Sequence, residues 1–346
     1  MSKITLLTPY FSPHLGGVES HVFETAKILS IDHEVQIVTS QHDQSLKLED
    51  KVNGLKVFRL PIGSKLQVWT WIWQHKDLFT SSDIVHVHDI FWWILPVWPL
   101  VRQKVYLTHH GWEGKYPVPL INKLQRYIYA KLSRGLVHVG DYIREFYWEK
   151  PAAVVYGGII KSQMTNSLKG APRAKKISIN KSKKMKIVYI GRLEVENEIE
   201  SYLKLINELR IKSEGLKIEV DWVGDGKYRK QCEKLGHVTG MITNPEKYLQ
   251  NADVVFANSY LSILEAQAAD KLVVSVYSNK LKQRYLETWP GAEFMIIQDE
   301  GLRIEEVVGL LADEKKMTKI AKQVNKFANK MTWEKVVYQY LKLWKN

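Results

Sequence analysis

The chain has 346 residues, of which 45% are hydrophobic and 25% are charged, a composition typical of a globular protein with room for two domains. Its single cysteine, Cys232, excludes an internal disulfide framework and fits a reducing compartment. The sequence contains no apolar run close to the roughly 20 residues of a membrane-spanning helix, and we find no secretory leader pattern. We therefore expect a cytoplasmic protein.

The formal charge of +13 is concentrated in one segment, because residues 161–186 contain nine lysines and arginines and no acidic residue. We interpret residues 161–185 as a basic linker or surface loop. Such a segment can contact anionic lipid, and a solvated loop without a partner is the alternative. The chain has no known nucleic-acid recognition module, so we expect no nucleic-acid partner.

Before this segment, strand-like and helical stretches alternate, which predicts a doubly wound α/β domain over residues 1–160. Several strand-like runs are apolar without alternation, as expected for parallel strands covered on both faces. The predicted helices are Val18–Ser30, Pro119–Ser133 and Tyr142–Trp148. The predicted strands are Ile4–Thr8, Glu34–Thr39, Leu55–Leu60, Ile84–His88, Lys104–Thr108, Leu136–Val139 and Ala153–Tyr156.

The alternation restarts after the basic segment and predicts a second α/β domain over residues 186–330, followed by a C-terminal helix in 331–346. The predicted strands are Lys186–Ile190, Lys217–Val223, Asp253–Ala257, Leu272–Val276 and Glu293–Ile297. The predicted helices are Glu198–Lys212, Lys227–Leu235 and Leu261–Ala269, with further helices from Lys280 onward. In doubly wound sheets, ligands bind at the carboxyl ends of the strands.

The first candidate site residues are Gly16 and Gly17, which stand between a predicted strand and a predicted helix. A helix start offers unpaired N–H groups and partial positive charge, and glycine lets a phosphate approach the backbone. An ordinary strand–helix turn is the alternative. The spacing lacks the G-x-G-x-x-G fingerprint of dinucleotide binding.

The second domain opens with YIGRLEVEN, which places Arg192 directly after a predicted strand. A guanidinium in that position suits bidentate binding of phosphate. A surface ion pair with Glu194 or Glu196 is the alternative.

A second phosphate-binding element is predicted where a strand ends near Ala257 and a helix begins around Leu261. The polar residues Asn258, Ser259 and Ser262 are candidate caps that leave amides free at the helix start. Glu265 follows about one turn into that helix and is suited to bind ribose hydroxyls. An ordinary surface glutamate is the alternative.

The motifs GGVESH, THHG, GRL, VGDG and LSILEA occur in this order along the chain. Their order and spacing resemble the retaining GT-B glycosyltransferases of family 4, and the resemblance covers nearly the whole chain. It implies an α/β protein of the GT-B fold, in which two Rossmann-like doubly wound domains face each other across a cleft. It also implies a nucleotide-sugar donor held mainly by the C-terminal domain and a hydroxyl acceptor on the N-terminal domain. By the same resemblance, the C-terminal helix in 331–346 would pack back on the N-terminal domain.

The resemblance assigns roles to individual residues. His110 of THHG would lie near the transferred sugar, and Arg192 would neutralise the donor diphosphate, so these two are the expected catalytic residues. The expected donor-binding residues are Gly16 and Gly17 at the diphosphate or sugar, Arg192, the amides of Leu261, Ser262 and Ile263 at the distal phosphate, Glu265 at the ribose, and Asn197. We expect no metal and no other cofactor, since Arg192 and helix amides supply the positive charge.

Two positions depart from the family pattern. The family usually has a lysine five residues after its arginine and then a glycine, whereas this chain has Asn197 and Glu198. The family also usually has two glutamates flanking seven residues; Glu265 matches the second, but the first is Ala257. Either a subgroup binds its donor differently, or the enzyme is weak or silent. The retained arginine, histidine and glutamate favour the first explanation.

Aromatic residues crowd VWTWIWQ, where Trp69, Trp71 and Trp73 alternate, and FWWILPVWPL. Tryptophan and basic residues favour the surface of an anionic membrane, so we expect peripheral contact with the inner face of the membrane. The alternative is that these aromatic residues pack in the core or line a sugar pocket by stacking. A metal site at VHVHD is disfavoured, because His86 and His88 alternate along a strand and no further ligands stand at a recognisable spacing.

We therefore predict a retaining, metal-independent hexosyltransferase that uses a nucleotide-diphosphate sugar. The expected acceptor is a glycolipid or a precursor in polysaccharide biosynthesis. The alternative is a non-catalytic GT-B protein that binds a sugar nucleotide or a partner transferase.

Overall fold

The computed structural model describes residues 1–61, 63–159, 184–212, 217–299, 309 and 314–345. The chain forms two compact units, residues 1–157 with 333–346, and residues 158–332. Apart from its last two residues, the predicted basic segment 161–185 lies outside the described residues.

The first unit is built on an eight-stranded sheet. Its strands are β1 (Lys3–Leu7), β2 (Glu34–Gln41), β3 (Glu49–Val52), β4 (Leu55–Pro61), β5 (Ile84–His88), β6 (Val105–His109), β7 (Gly135–Val139) and β8 (Ala153–Val155). Its helices before the second unit are α1 (Gly17–Leu29), α2 (Lys65–Gln74), α3 (Asp77–Thr80), α4 (Trp98–Val101), α5 (Leu120–Leu132) and α6 (Ile143–Phe146). The strand order is β3-β4-β2-β1-β5-β6-β7-β8, and every pair except β3–β4 is parallel.

The second unit is built on a six-stranded parallel sheet. Its strands are β9 (Lys184–Ile190), β10 (Lys217–Val223), β11 (His237–Gly240), β12 (Val254–Ala257), β13 (Leu272–Tyr277) and β14 (Met295–Asp299). Its helices are α7 (Ile199–Lys212), α8 (Arg229–Glu233), α9 (Glu246–Asn251), α10 (Tyr260–Ala268), α11 (Lys280–Glu287) and α12 (Glu314–Ala328). The strand order is β11-β10-β9-β12-β13-β14.

Both sheets are doubly wound, which confirms the predicted α/β class with two Rossmann-like units. In the second sheet the strand order reverses between β9 and β12, and in the first it reverses between β1 and β5. The central strands are buried on both faces, as in VVFA of β12, where all four residues are buried. Ligands of open α/β sheets bind at the carboxyl ends of the strands beside such a reversal.

Strand β3 and helix α2 of the first unit were not among the predicted elements, although each has a local signal. Strand β3 joins β4 through Asn53 and Gly54, which both have positive φ, as a two-residue hairpin requires. Helix α2 begins with a capping box between Ser64 and Gln67. The alternating tryptophans of VWTWIWQ therefore lie on a helix.

The C-terminal helix α13 (Trp333–Trp344) belongs to the first unit and packs against α1. The buried Tyr340 hydroxyl lies 2.8 Å from Nε2 of His21 on α1 and 3.1 Å from Oγ1 of Thr108 on β6. One hydroxyl thus links the last helix to the first helix and to the sheet.

None of the described helices combines the length and the apolar character that crossing a membrane requires.

We expect Tyr340→Phe to lower the free energy of unfolding by about 1–3 kcal/mol, because it leaves buried polar atoms of His21 and Thr108 without this partner. Urea denaturation measures the change. Tyr338→Phe is the matched control, since Tyr338 lies on the same helix and is 63% exposed. Equal midpoints for the two variants would contradict the structural role of the Tyr340 hydroxyl.

Candidate functional site

The side chain of Arg192 stands exposed just after β9, at the carboxyl end of the sheet of the second unit. Its guanidinium forms no ion pair within the described part of the chain. In particular, Glu194 accepts a hydrogen bond from the backbone N–H of Lys227 at 3.0 Å. The alternative of a surface ion pair is therefore not favoured, and the guanidinium is available to an anion.

The loop that carries Arg192 is held by the loop after β10. The backbone N–H of Leu193 donates to the carbonyl of Asp225 at 2.8 Å, and the N–H of Gly191 donates to the carbonyl of Val223 at 3.1 Å. Gly224 has φ 154°, and a Cβ there would overlap the carbonyl oxygen of Gly191. The glycines of VGDG thus serve to let two strand-end loops pack together.

Asn197 fixes the backbone of Arg192, since its Nδ2 donates to the Arg192 carbonyl at 2.9 Å. The next residue, Glu198, has a left-handed backbone with φ 59° and ψ 35°. Such a conformation favours glycine, which is the residue the family usually has there. The Glu198 carboxylate accepts a hydrogen bond from the Ser278 hydroxyl at 2.8 Å.

The N-terminus of α10 lies at the end of β12, next to β9 in the sheet. Its N-cap is Ser259, whose side chain makes no capping hydrogen bond. The N–H of Tyr260 donates to the hydroxyl of Tyr285, and the N–H of Ile263 donates to the carbonyl of Ser259. The amides of Leu261 and Ser262 have no acceptor among the residues that the structure describes. The Ile263 amide was also predicted to bind phosphate, but it already donates to a carbonyl within the helix.

Glu265 lies one turn into α10 and is partly buried. Its carboxyl has no hydrogen-bond donor within the described ranges. Burial, with the neighbouring charge of Glu246, raises the pKa of Glu265 to about 7. A carboxyl of this kind gains from a ligand that donates hydrogen bonds to its ionised form.

At the position of the family's first glutamate, Ala257 is completely buried, and its carbonyl accepts hydrogen bonds from Tyr202 and Ser275. A glutamate at this place in the packed sheet would bury an uncompensated carboxylate. The alanine therefore agrees with the local packing of this unit.

In the first unit, Gly16 is the N-cap of α1 and Gly17 is its first residue. The carboxylate of Glu19 lies beside Gly16, where an added Cβ would collide with it, and it pairs with Nδ1 of His14 at 2.7 Å. The space next to Gly17 is open, with no atom within 4 Å of an added Cβ. An internal anion thus occupies one side of this helix start.

His110 follows β6 and is held from two sides. Its Nε2 lies 2.8 Å from Nδ1 of His88, and its backbone N–H donates to the carboxyl of Asp89 at 2.8 Å. Asp89 has a left-handed backbone with φ 64°, which turns its carboxyl toward the neighbouring strand end. The VHVHD motif therefore positions His110, a role that the sequence analysis missed.

A separate chain of hydrogen bonds passes through His86, whose ring stacks on that of His88. The indole N–H of Trp344 can only donate, so Nδ1 of His86, 3.2 Å away, accepts. Neutral His86 then donates from Nε2 to Thr108 Oγ1 at 2.7 Å, and Thr108 contacts the Tyr340 hydroxyl. The C-terminal helix thereby fixes the tautomer of a buried histidine.

Burial favours the neutral form of four histidines in this unit, which are His21, His86, His88 and His110. It lowers the pKa of His86 and of His110 to about 3, with smaller contributions from neighbouring histidines. The pKa values of His21 and His88 are also lowered, mainly by burial. His110 at neutral pH is therefore an uncharged donor and acceptor of hydrogen bonds.

A second group of titratable side chains lies nearby in the same unit. His109, His138 and Glu149 are buried with their ligand-type atoms within 4.8 Å of one another. The guanidinium of Arg126 contacts the Glu149 carboxylate at 2.8 Å and donates to the carbonyl of Gly111 at 2.6 Å. Because this guanidinium already neutralises the carboxylate, the group fits a structural network that holds the loop after His110.

The aromatic clusters divide between core and surface. The buried members include Phe91, Trp93, Tyr142 and Tyr147. The exposed members include Trp69, Trp73, Tyr127 and Trp148. Trp69 and Trp73 line a mainly apolar depression of about 470 Å³ together with Thr70, Leu95 and Pro96.

Two family models match the chain. Residues 15–160 match Glycosyltransferase Family 4, and residues 184–329 match Glycosyl transferases group 1. An uncharacterized glycosyltransferase of Methanocaldococcus jannaschii is 21% identical over 393 residues, which cover 99% of this chain and 97% of that protein.

Solved structures share the fold over the full chain. Sucrose-phosphate synthase from Thermosynechococcus elongatus has a TM-score of 0.77 at 15% identity and covers 100% of this chain and 98% of its own. HepE of Anabaena, in complex with UDP and glucose, has a TM-score of 0.72 at 14% identity and covers 99% of both chains. With the strand order of both sheets and the two family matches, the chain belongs to the GT-B glycosyltransferases of family 4, the glycosyl transferases group 1.

Proposed function

We propose that this glycosyltransferase transfers a hexose from a nucleotide-diphosphate sugar to a hydroxyl acceptor with retention of configuration. The observation that carries the proposal is the exposed guanidinium of Arg192. It has no carboxylate partner among the described residues and stands at the reversal of the second sheet, where the adjacent strand leads into α10 with two available amides. UDP in the structure of HepE supports a nucleoside diphosphate as the leaving group.

In this proposal the main chemical task is to stabilise the charge that grows on the departing diphosphate. Arg192 and the amides of Leu261 and Ser262 provide positive charge and hydrogen-bond donors, so no metal is needed. Glu265 binds the ribose hydroxyls. The donor is thereby held by groups of the second unit whose backbones are fixed by the packing of neighbouring strand ends.

His110 is proposed to hydrogen-bond the transferred sugar as a neutral imidazole. A neutral ring does not repel the oxocarbenium-like centre that forms as the glycosidic bond breaks. The acceptor hydroxyl attacks from the face that the diphosphate leaves, and the departing phosphate takes its proton. Gly17 leaves open space at the start of α1, which suits close approach of a sugar or a phosphate.

We propose a lipid-linked acceptor, either a glycolipid or a polysaccharide precursor, reached from the cytoplasmic face of a membrane. Leu66, Trp69 and Trp73 are exposed on α2. The ammonium group of Lys76 lies 5.2 Å from the ring centre of Trp73. Exposed tryptophan next to lysine suits the interface of an anionic bilayer.

A second candidate function is that of a non-catalytic GT-B protein that binds a sugar nucleotide or a partner transferase. Two residues favour it. Asn197 stands where the family usually has a lysine, and the fully buried Ala257 stands where the family usually has a glutamate, so the chain lacks both charged groups. Calorimetric binding combined with a donor-hydrolysis assay separates the two, because donor binding without turnover across several donors would identify the non-catalytic protein.

We expect Arg192→Ala to reduce turnover by about 30- to 1000-fold, because it removes about 2–4 kcal/mol of charge stabilisation in the transition state. Affinity for the donor should fall as well, while the melting temperature stays nearly unchanged, since the exposed guanidinium supports no described contact. Arg229→Ala is the control, because Arg229 is a partly exposed arginine paired with Asp225 and Glu233. A strongly lowered melting temperature for Arg192→Ala would make Arg192 structural.

Nucleotide binding should depend on pH through Glu265. Ribose hydroxyls donate to the ionised carboxylate, and its pKa of about 7 means that ionisation is incomplete at neutral pH. Affinity for the nucleoside diphosphate should therefore rise by up to about 10-fold between pH 6 and pH 8. Glu265→Gln should abolish this rise in affinity between pH 6 and pH 8. The nucleotide itself also titrates in this range, but it does so equally with both proteins, so the difference between them reports on Glu265. Parallel pH profiles for both proteins would exclude the ribose role.

A further inference from the structure

Lys282 is a buried lysine that the sequence analysis did not single out. It lies on α11 and is 4% exposed. Its ammonium donates to the backbone carbonyl of Asn258 at 2.8 Å and lies 4.4 Å from the ring centre of Tyr285. Among the described residues it forms no ion pair within 4 Å of a carboxylate.

A buried ammonium with a single hydrogen-bond acceptor is unfavourable for folding. The neighbouring buried residues of α11 are Leu281 and Leu286, so an apolar side chain at position 282 would suit this face of the helix. Burial lowers the pKa of Lys282 to about 8, the charge of Glu198 opposes this shift, and the charge of Arg192 adds to it. The lysine therefore lies within electrostatic reach of the proposed phosphate-binding arginine.

Hydrogen bonds connect Lys282 to the loop of Arg192. Asn258, whose carbonyl accepts from Lys282, donates from Nδ2 to the carbonyl of Asn197 at 3.4 Å. Asn197 in turn donates to the carbonyl of Arg192 at 2.9 Å. The ammonium thus belongs to the same group of strand-end residues as the guanidinium.

The same side chains connect Lys282 to the start of α10. Tyr285, whose ring faces the ammonium, accepts a hydrogen bond from the N–H of Tyr260 at 2.8 Å. Asn258 directly precedes Ser259, the N-cap of α10. Lys282 is therefore placed next to both elements to which the diphosphate is assigned.

We propose that Lys282 supplies the second positive charge of the donor diphosphate site and takes over from the lysine that the family usually has where this chain has Asn197. The inference rests on the proposed function and names the group that recognises the diphosphate. The phosphate oxygens would accept from the two N–H groups of the ammonium that have no acceptor among the described residues. Glu198, in the left-handed position of the family's glycine, contributes a negative charge that raises the pKa of this lysine against the effect of burial.

The test begins with calorimetric titration of the full chain with UDP, GDP and ADP. The nucleoside that corresponds to the diphosphate that binds is then titrated in the same way. We expect Lys282→Met to weaken binding of the diphosphate by about 10- to 100-fold, the range of a charge-assisted hydrogen bond. Binding of the nucleoside should change less than about threefold. Lys280→Met is the matched control, since Lys280 is exposed on the same helix and its variant should bind like the wild type.

Lys282→Gln keeps polarity without charge, should lose diphosphate affinity like the methionine variant, and provides a second folded protein if that variant is unstable. Unchanged diphosphate affinity in either folded variant would overturn the proposal. Equal losses for nucleoside and diphosphate, or failure of both variants to fold, would also overturn it, because Lys282 would then be structural. A wild-type protein that binds none of the three diphosphates would instead contradict the proposed function on which the inference rests.

Discussion

The reversal of strand order between β9 and β12 is the constraint on which the candidate donor site depends. Because the connections of these adjacent parallel strands leave the sheet on opposite sides, their carboxyl ends stay uncovered. Arg192 follows one strand and the start of α10 follows the other. Topology places the guanidinium and the amides of Leu261 and Ser262 at the ends of neighbouring strands, although more than 65 residues separate them in sequence.

Backbone packing holds these groups in place without using their charges. Gly224 permits contact between two strand-end loops, and Asn197 holds the carbonyl of Arg192. Asn258 is buried and joins the end of β12 to the end of β13 through the backbone of Val276. Since uncharged contacts carry the structure, the side chain of Arg192 remains available for an anion.

In the first unit, neutral hydrogen-bonded histidines orient the candidate residue His110. The buried His86 and His21 are neutral and are connected by hydrogen bonds through Thr108 and Tyr340, with the indole of Trp344 bonded to His86. His110 lies beside this group and is oriented by His88 and Asp89. A neutral network of this kind fixes the orientation of a hydrogen-bonding imidazole without adding charge.

The sequence by itself determined the two α/β units and most central strands, since continuous apolar runs between glycine-rich turns specify buried parallel strands. It also marked Arg192 and Glu265 as candidate residues through their place at a strand end and a helix start, and His110 through the resemblance of THHG to the family motif. Only the tertiary structure decided that the Tyr340 hydroxyl joins α13 to His21 and Thr108, that Asp89 holds the backbone of His110, and that Lys282 lies beside the loop of Arg192. These facts depend on contacts between residues far apart in the chain, and local periodicity carries no information about such contacts.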